Sequence, residues 1–197
     1  MASSRKRSRW TEVKARLDAF DRRGLLGLVG DLYEASASTR RFLHARLLPS
    51  DAEIEEYQQL VSEAVFPDPL SRRPIRLRDG SAAITEYRRS TGDLAGTVRL
   101  MLTFVEAGTE QAADLGYGNE SYFAALENKV DGVVGLLEAL PPDVRAAATA
   151  RLVAIRDRGK NIGWGYGDYL AEVVAPLQRR RLPARAPRNQ LRSLTRG

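Results

Sequence analysis

Apolar positions recur along this chain at intervals of three and four residues, and turn-forming residues separate the periodic blocks. A first block runs from Thr11, a plausible N-cap, through Val13, Leu17 and Phe20. A second sets Leu25, Leu28, Val29, Leu32 and Tyr33 on one face; Ser36 and Ser38 break it, and Phe42, Leu43, Leu47 and Leu48 form a third. Ser50-Asp51-Ala52-Glu53 reads as a capping box, in which the serine accepts a helical N–H and Glu53 reaches back. Ile54, Tyr57, Leu60, Val61 and Val65 follow as a stripe that Pro67 and Pro69 stop.

Residues 67–81 hold three prolines and a glycine and form the best internal boundary. Ile75 and Leu77 alternate with arginines in the manner of a strand, but a lone strand has nothing to pair with. Beyond it, Ile84 and Tyr87 lead to a helix showing Leu94, Val98, Met101, Leu102 and Val105, with an end near Gly108. The clearest helix follows the Gly116–Asn119 loop, its stripe being Tyr122, Leu126, Val130, Val133, Leu137 and Leu140. Pro141-Pro142-Asp143 opens the next, where Val144, Ala148, Leu152 and Ile155 face one way. The last follows a glycine-rich stretch, with Tyr166, Tyr169, Leu170, Val173, Val174 and Leu177 inward. The pattern predicts an all-α protein of about eight or nine helices, either a bundle or a short α–α superhelix.

Charge changes that picture at its ends. Residues 1–9 hold four of the 31 Lys and Arg, residues 179–197 hold seven, and neither segment holds an acid. The 20 bases that remain face all 25 acids, so the body carries −5 although the whole chain is +6. The reading is a single helical domain over 10–178 between two basic, disordered tails, 1–9 and 179–197. Arg5, Lys6, Arg7 and Arg9, with Arg179, Arg180, Arg181, Arg185, Arg188, Arg192 and Arg196, are candidate contacts to nucleic acid or another polyanion. Arg40, Arg41 and Arg46, and Arg72, Arg73, Arg76 and Arg78, could extend that footprint, whereas an acidic body opposes wrapping.

The absence of cysteine excludes disulfides, thiolate metal sites and a cysteine nucleophile. The longest apolar run near the start, Gly24 to Gly30, is too short to span a membrane, and the basic N-terminus leads into Trp10-Thr11-Glu12 with no apolar signal region. These features point to a soluble, cytoplasmic protein. His44, the only histidine, has no carboxylate one turn before it and no positioned partner serine. The acids at Asp51, Glu53, Glu55 and Glu56 suit the positive end of a helix, and Glu127 and Asp131 read as a solvated i, i+4 pair. No metal or cofactor is called for.

The most unusual local sequence is Gly159 to Asp168. Gly163, Trp164, Gly165, Tyr166, Gly167 and Asp168 are candidates for a ligand loop, since glycines let backbone approach a ligand and the next helix start offers N–H groups. It is neither phosphate-loop type: Ala154 and Asn161 break the Walker spacing, and Asp168 and Leu170 break the dinucleotide one. The alternative is a tight helix–helix turn whose Trp164 and Tyr166 fill a core gap.

Residues 25–33 (LLGLVGDLY), Arg41-Phe42-Leu43 and Leu47, then Ile84, Glu86 and Tyr87, Leu100-Met101-Leu102 with Val105–Gly108, and the Gly116–Phe123 stretch resemble an uncharacterised family of small helical bacterial proteins, the domain of unknown function of the 6155 type. The resemblance spans most of residues 11–140 and rests mainly on core positions. It implies a helical fold and no activity, substrate or catalytic residue. The function expected is a non-catalytic binding or scaffolding module acting on a partner protein. The competing classes are a nucleic-acid-associated protein using its arginine-rich ends, and an enzyme with a site near Gly159–Asp168.

Overall fold

The computed structural model describes residues 2–181, with the side chains of 9–179. The described residues hold nine α-helices and two short 3₁₀ turns, with no strand among them, as the apolar periodicity predicts. They fall into two compact units, Met1–Glu53 and Ile54–Gly197. The division lies in the first turn of a helix and not in the proline-rich 67–81 segment, where the sequence suggests a boundary.

The first unit holds α1 (Ala2–Leu17), α2 (Arg22–Ala35) and α3 (Ala37–Leu47). Helix α1 corrects two expectations. Residues 2–9 belong to a helix and not to a disordered tail, and Thr11 lies in mid-helix instead of capping its start. Arginine and lysine are good helix formers, and the segment contains no glycine or proline to interrupt them. The caps of the other two are local: Asp21 accepts the Gly24 N–H at 2.7 Å, and Ser36 accepts that of Thr39 at 3.3 Å. Helix α2 pairs with α3, and the Tyr33 hydroxyl meets His44 Nε2 at 2.9 Å. No residue of α2 is buried, so its predicted apolar face is not core: Leu25, Val29 and Leu32 are exposed, and Leu28 and Tyr33 are half-buried.

Helix α4 (Asp51–Val65) starts directly after Ser50, where the capping box places it, but the serine hydroxyl donates to the Glu53 carboxylate. That bond, helped by the backbone N–H groups of Glu53 and Ser50, holds the carboxyl below its ordinary value.

In the second unit, α5 (Leu77–Thr91), α7 (Glu120–Leu136) and α8 (Pro142–Gly159) all pack on α6 (Leu94–Leu115), and α9 (Tyr166–Arg181) packs on α8 and α7. Helix α6 is buried on most of its circumference, at Val98, Leu100, Leu102, Phe104 and Val105 among others, which is the signature of a central helix. It runs through Gly108 to Leu115, seven residues past the predicted end, with a left-handed cap at Gly116. Gly108 serves packing instead of termination. A Cβ there would sit 2.3 Å from Leu126 Cδ2, so the missing side chain is what lets α7 approach. All six predicted stripe residues from Tyr122 to Leu140 are buried.

Polar ties complete the bundle. Arg151 of α8 grips Glu106 of α6 with two bonds, of 2.7 and 2.6 Å. Tyr57 and Tyr87 meet edge to face, donating to Glu86 at 2.9 Å and Asp93 at 2.8 Å respectively. Asp131 is not merely half of a solvated pair: Tyr169 Oη lies 2.7 Å from its Oδ1 and 3.0 Å from the Glu127 carbonyl, joining α9 to α7. Among the described residues, no helix is long and apolar enough to cross a membrane.

Candidate functional site

Two glycine–aromatic–glycine segments, Gly116-Tyr117-Gly118 and Gly163-Trp164-Gly165, lie far apart in sequence and line one groove. Each follows the end of a long helix. Helix α6 closes at Gly116, whose N–H donates to the Ala112 carbonyl at 3.1 Å. Asn119 then opens α7 by accepting the Tyr122 N–H at 2.9 Å. Only two residues, Tyr117 and Gly118, separate cap from cap. Gly118 must be glycine on space alone, because a Cβ would come within 2.5 Å of the Phe123 ring.

The second segment is pinned the same way. Ile162 donates to the Gly159 carbonyl at 2.9 Å, Tyr166 to Gly163 at 3.2 Å and Tyr169 to Gly165 at 2.9 Å. Gly167 lies so close to the α8 end that a Cβ would stand 2.9 Å from the Lys160 carbonyl oxygen. These bonds leave Trp164 with φ +62° and 70% exposed. A bulky residue in the left-handed region costs about 1–3 kcal/mol. Its ring gains little burial in return.

Beneath the groove runs a stack of aromatic rings. Tyr117 meets Tyr122 edge-on at 5.2 Å, Tyr122 meets Phe123 at 5.5 Å, and Phe123 meets Tyr166 at 5.2 Å. The Tyr166 hydroxyl bonds Thr109 Oγ1 at 2.8 Å, and Tyr122 donates to the Gly108 carbonyl at 2.9 Å. Burial, above all, raises both phenol pKa values well over the ordinary 10 and keeps the rings neutral. Both loops therefore stand on a rigid, satisfied floor.

The groove above encloses about 400 Å³. Ala112, Ala113, Phe123 and Ile162 give it apolar walls, and Arg158, Asn161 and Tyr117 supply its polar side-chain groups. Arg158 is held at the rim by Asp114. A guanidinium, a carboxamide and a phenol can bind and orient, but they do not make a nucleophile with its base.

The sequence-predicted ligand loop divides here. Gly163 and Trp164 line the groove, with Gly165 beside them at φ +75°. Tyr166, Gly167 and Asp168 belong to the first turn of α9. Tyr166 is fully buried, Gly167 is packed against backbone, and Asp168 is exposed. Of the two aromatics expected to fill a core gap in a tight helix–helix turn, Tyr166 does so and Trp164 does not. Sequence reasoning missed Tyr117, Phe123 and Arg158. The repeated glycine–aromatic–glycine pattern was the signal available for the first of these.

Of the candidate polyanion contacts, Arg5, Lys6, Arg7 and Arg9 lie in α1, and Arg179, Arg180 and Arg181 lie in the last turn of α9. Arg185, Arg188, Arg192 and Arg196 lie outside the described residues. In the central loop Arg73 stands 3.7 Å from Glu63 and Arg76 3.8 Å from Asp79, while in α3 Arg40 sits over the Tyr33 ring at 5.4 Å. No group of three or more potential metal ligands is found among the described residues.

No family model, curated protein or solved structure matches this chain.

Proposed function

We propose that the chain is a non-catalytic helical binding module and that the groove between the two glycine–aromatic–glycine segments takes a segment of a partner protein. The observation that carries this reading is Trp164, held left-handed and 70% exposed at the mouth of a groove whose floor is rigid. Strain and exposure of a large aromatic both cost free energy. A fold that gained nothing from them would be better served by a small polar residue. Binding recovers the cost of exposure, because a partner that covers the ring removes its apolar surface from water, and aromatic anchors beside arginine are what protein interfaces concentrate. Arg158 and Asn161 then fix the register of the bound segment through polar contacts. The family resemblance adds no activity to this reading.

A random peptide library displayed on phage and selected on the full chain tests it, with Trp164→Ala as counter-screen. Selected peptides should bind that variant about thirtyfold more weakly, the loss expected of a central aromatic anchor. Equal binding to both proteins would remove the groove from the account.

A further inference from the structure

A second groove adjoins the first across Tyr117, which lines both. It encloses about 340 Å³ between the 67–75 segment and the end of α6. Pro67, Pro69 and Pro74, with Ile75 and Leu115, form its walls. Gln111 also lines it. That side chain is 94% buried, since only 6% of its surface is exposed, and its Oε1 has no hydrogen-bond partner.

A buried carboxamide oxygen without a donor is costly, and native proteins seldom leave one. The three prolines of the wall cannot supply the donor, because proline has no backbone N–H. Of the charged residues lining the groove, Asp68 accepts the Leu70 N–H at 2.9 Å and Arg73 stands 3.7 Å from Glu63. The oxygen itself is closed to solvent, but the last side-chain torsion of glutamine is broad and soft, so the amide can turn to meet an incoming donor.

We infer that Gln111 is a recognition acceptor for a backbone N–H of an extended peptide lying along the proline wall. An extended chain presents N–H groups at regular intervals and apolar side chains on alternate sides, matching one buried acceptor among apolar walls. Because Tyr117 borders both grooves, the same segment crosses it to reach Trp164. This rests on the binding-module reading and gives its ligand a chemical class, a peptide main chain with apolar side chains.

The test uses N-methylacetamide, which carries one peptide-like N–H, and N,N-dimethylacetamide, which carries none. Titrated into the ¹⁵N-labelled full chain, N-methylacetamide should move the Gln111 side-chain amide resonances saturably, and N,N-dimethylacetamide should leave them in place. The variant Gln111→Met should raise the melting temperature, because it removes an unsatisfied buried polar group at similar volume. Equal responses to the two amides, unmoved Gln111 resonances, or a melting temperature lowered by Gln111→Met would each overturn the inference. The last result would mean that an internal partner, such as an ordered water, already satisfies the oxygen. If Gln111 is silent while Trp164→Ala still loses the selected peptides, this inference fails and the binding-module reading stands.

Discussion

A methyl group on Gly108 would lie 2.3 Å from Leu126 Cδ2 and 3.1 Å from Cδ1, and Leu126 is itself fully buried with nowhere to retreat. Gly108→Ala should therefore lower stability by about 1–3 kcal/mol, the usual cost of overpacking. Gly135, in α7, has nothing within 4 Å of its would-be Cβ. Gly135→Ala should raise stability by about 0.4–1 kcal/mol, through helix propensity and a less disordered unfolded chain. Thermal or urea unfolding of the two variants checks both signs. The contrast also shows what a sequence hides at this scale. Gly108 reads as the end of a helix, and Trp164 and Tyr166 read alike as aromatics between glycines. Their difference comes from tertiary neighbours: a helix starts at Tyr166 and points it at Thr109, whereas the turn before it aims Trp164 outward.

Helices here are joined by tyrosine hydroxyls as much as by apolar stripes. Tyr122 and Tyr166 fasten α7 and α9 to α6, Tyr169 fastens α9 to α7, and Tyr87 closes the turn between α5 and α6. All four phenols are raised above their ordinary pKa of 10, with burial the first cause in each, and in Tyr87 and Tyr169 a bonded carboxylate adds to it. Since the folded state holds these protons more tightly than the unfolded one, their contribution is intact below pH 10 and falls away as the pH rises above it. A spectrophotometric titration should show these four of the seven tyrosines ionising only together with loss of helical circular dichroism. Independent ionisation of all seven at pH 10 would contradict the buried geometry.

Elements with strong periodicity, such as α7, were legible residue by residue. The end of α6 was not, because a glycine that admits a neighbouring helix looks like a terminator. Helix α1 was hidden by its charge, which marks a solvated segment without distinguishing helix from coil. The groove was half legible: its glycine–tryptophan–glycine side stood out, while the convergence with Gly116–Gly118 depends on how α6 and α8 end.

At the scale of the whole molecule, net charge separates the ends from the body. Eleven bases without an acid in residues 1–9 and 179–197 flank a body of net −5. Clustered cations release counterions from a polyphosphate, so the full chain should bind duplex DNA at low salt without sequence preference and lose affinity steeply as salt rises. The 10–178 fragment, net acidic, should lose that binding. Binding kept by the fragment would place phosphate contacts in the body. None of this requires the groove, whose claim is separate and rests on one ring.

That ring can be watched directly. Trp10→Phe leaves Trp164 as the only tryptophan of the chain's two. Its emission in the free protein should be that of a solvated indole and readily quenched by iodide. Adding a peptide selected on the wild-type chain should shift the emission to the blue and protect it from iodide, at the concentration where binding saturates. Saturated binding with emission and quenching unchanged would show that the partner does not cover Trp164, and would contradict the account.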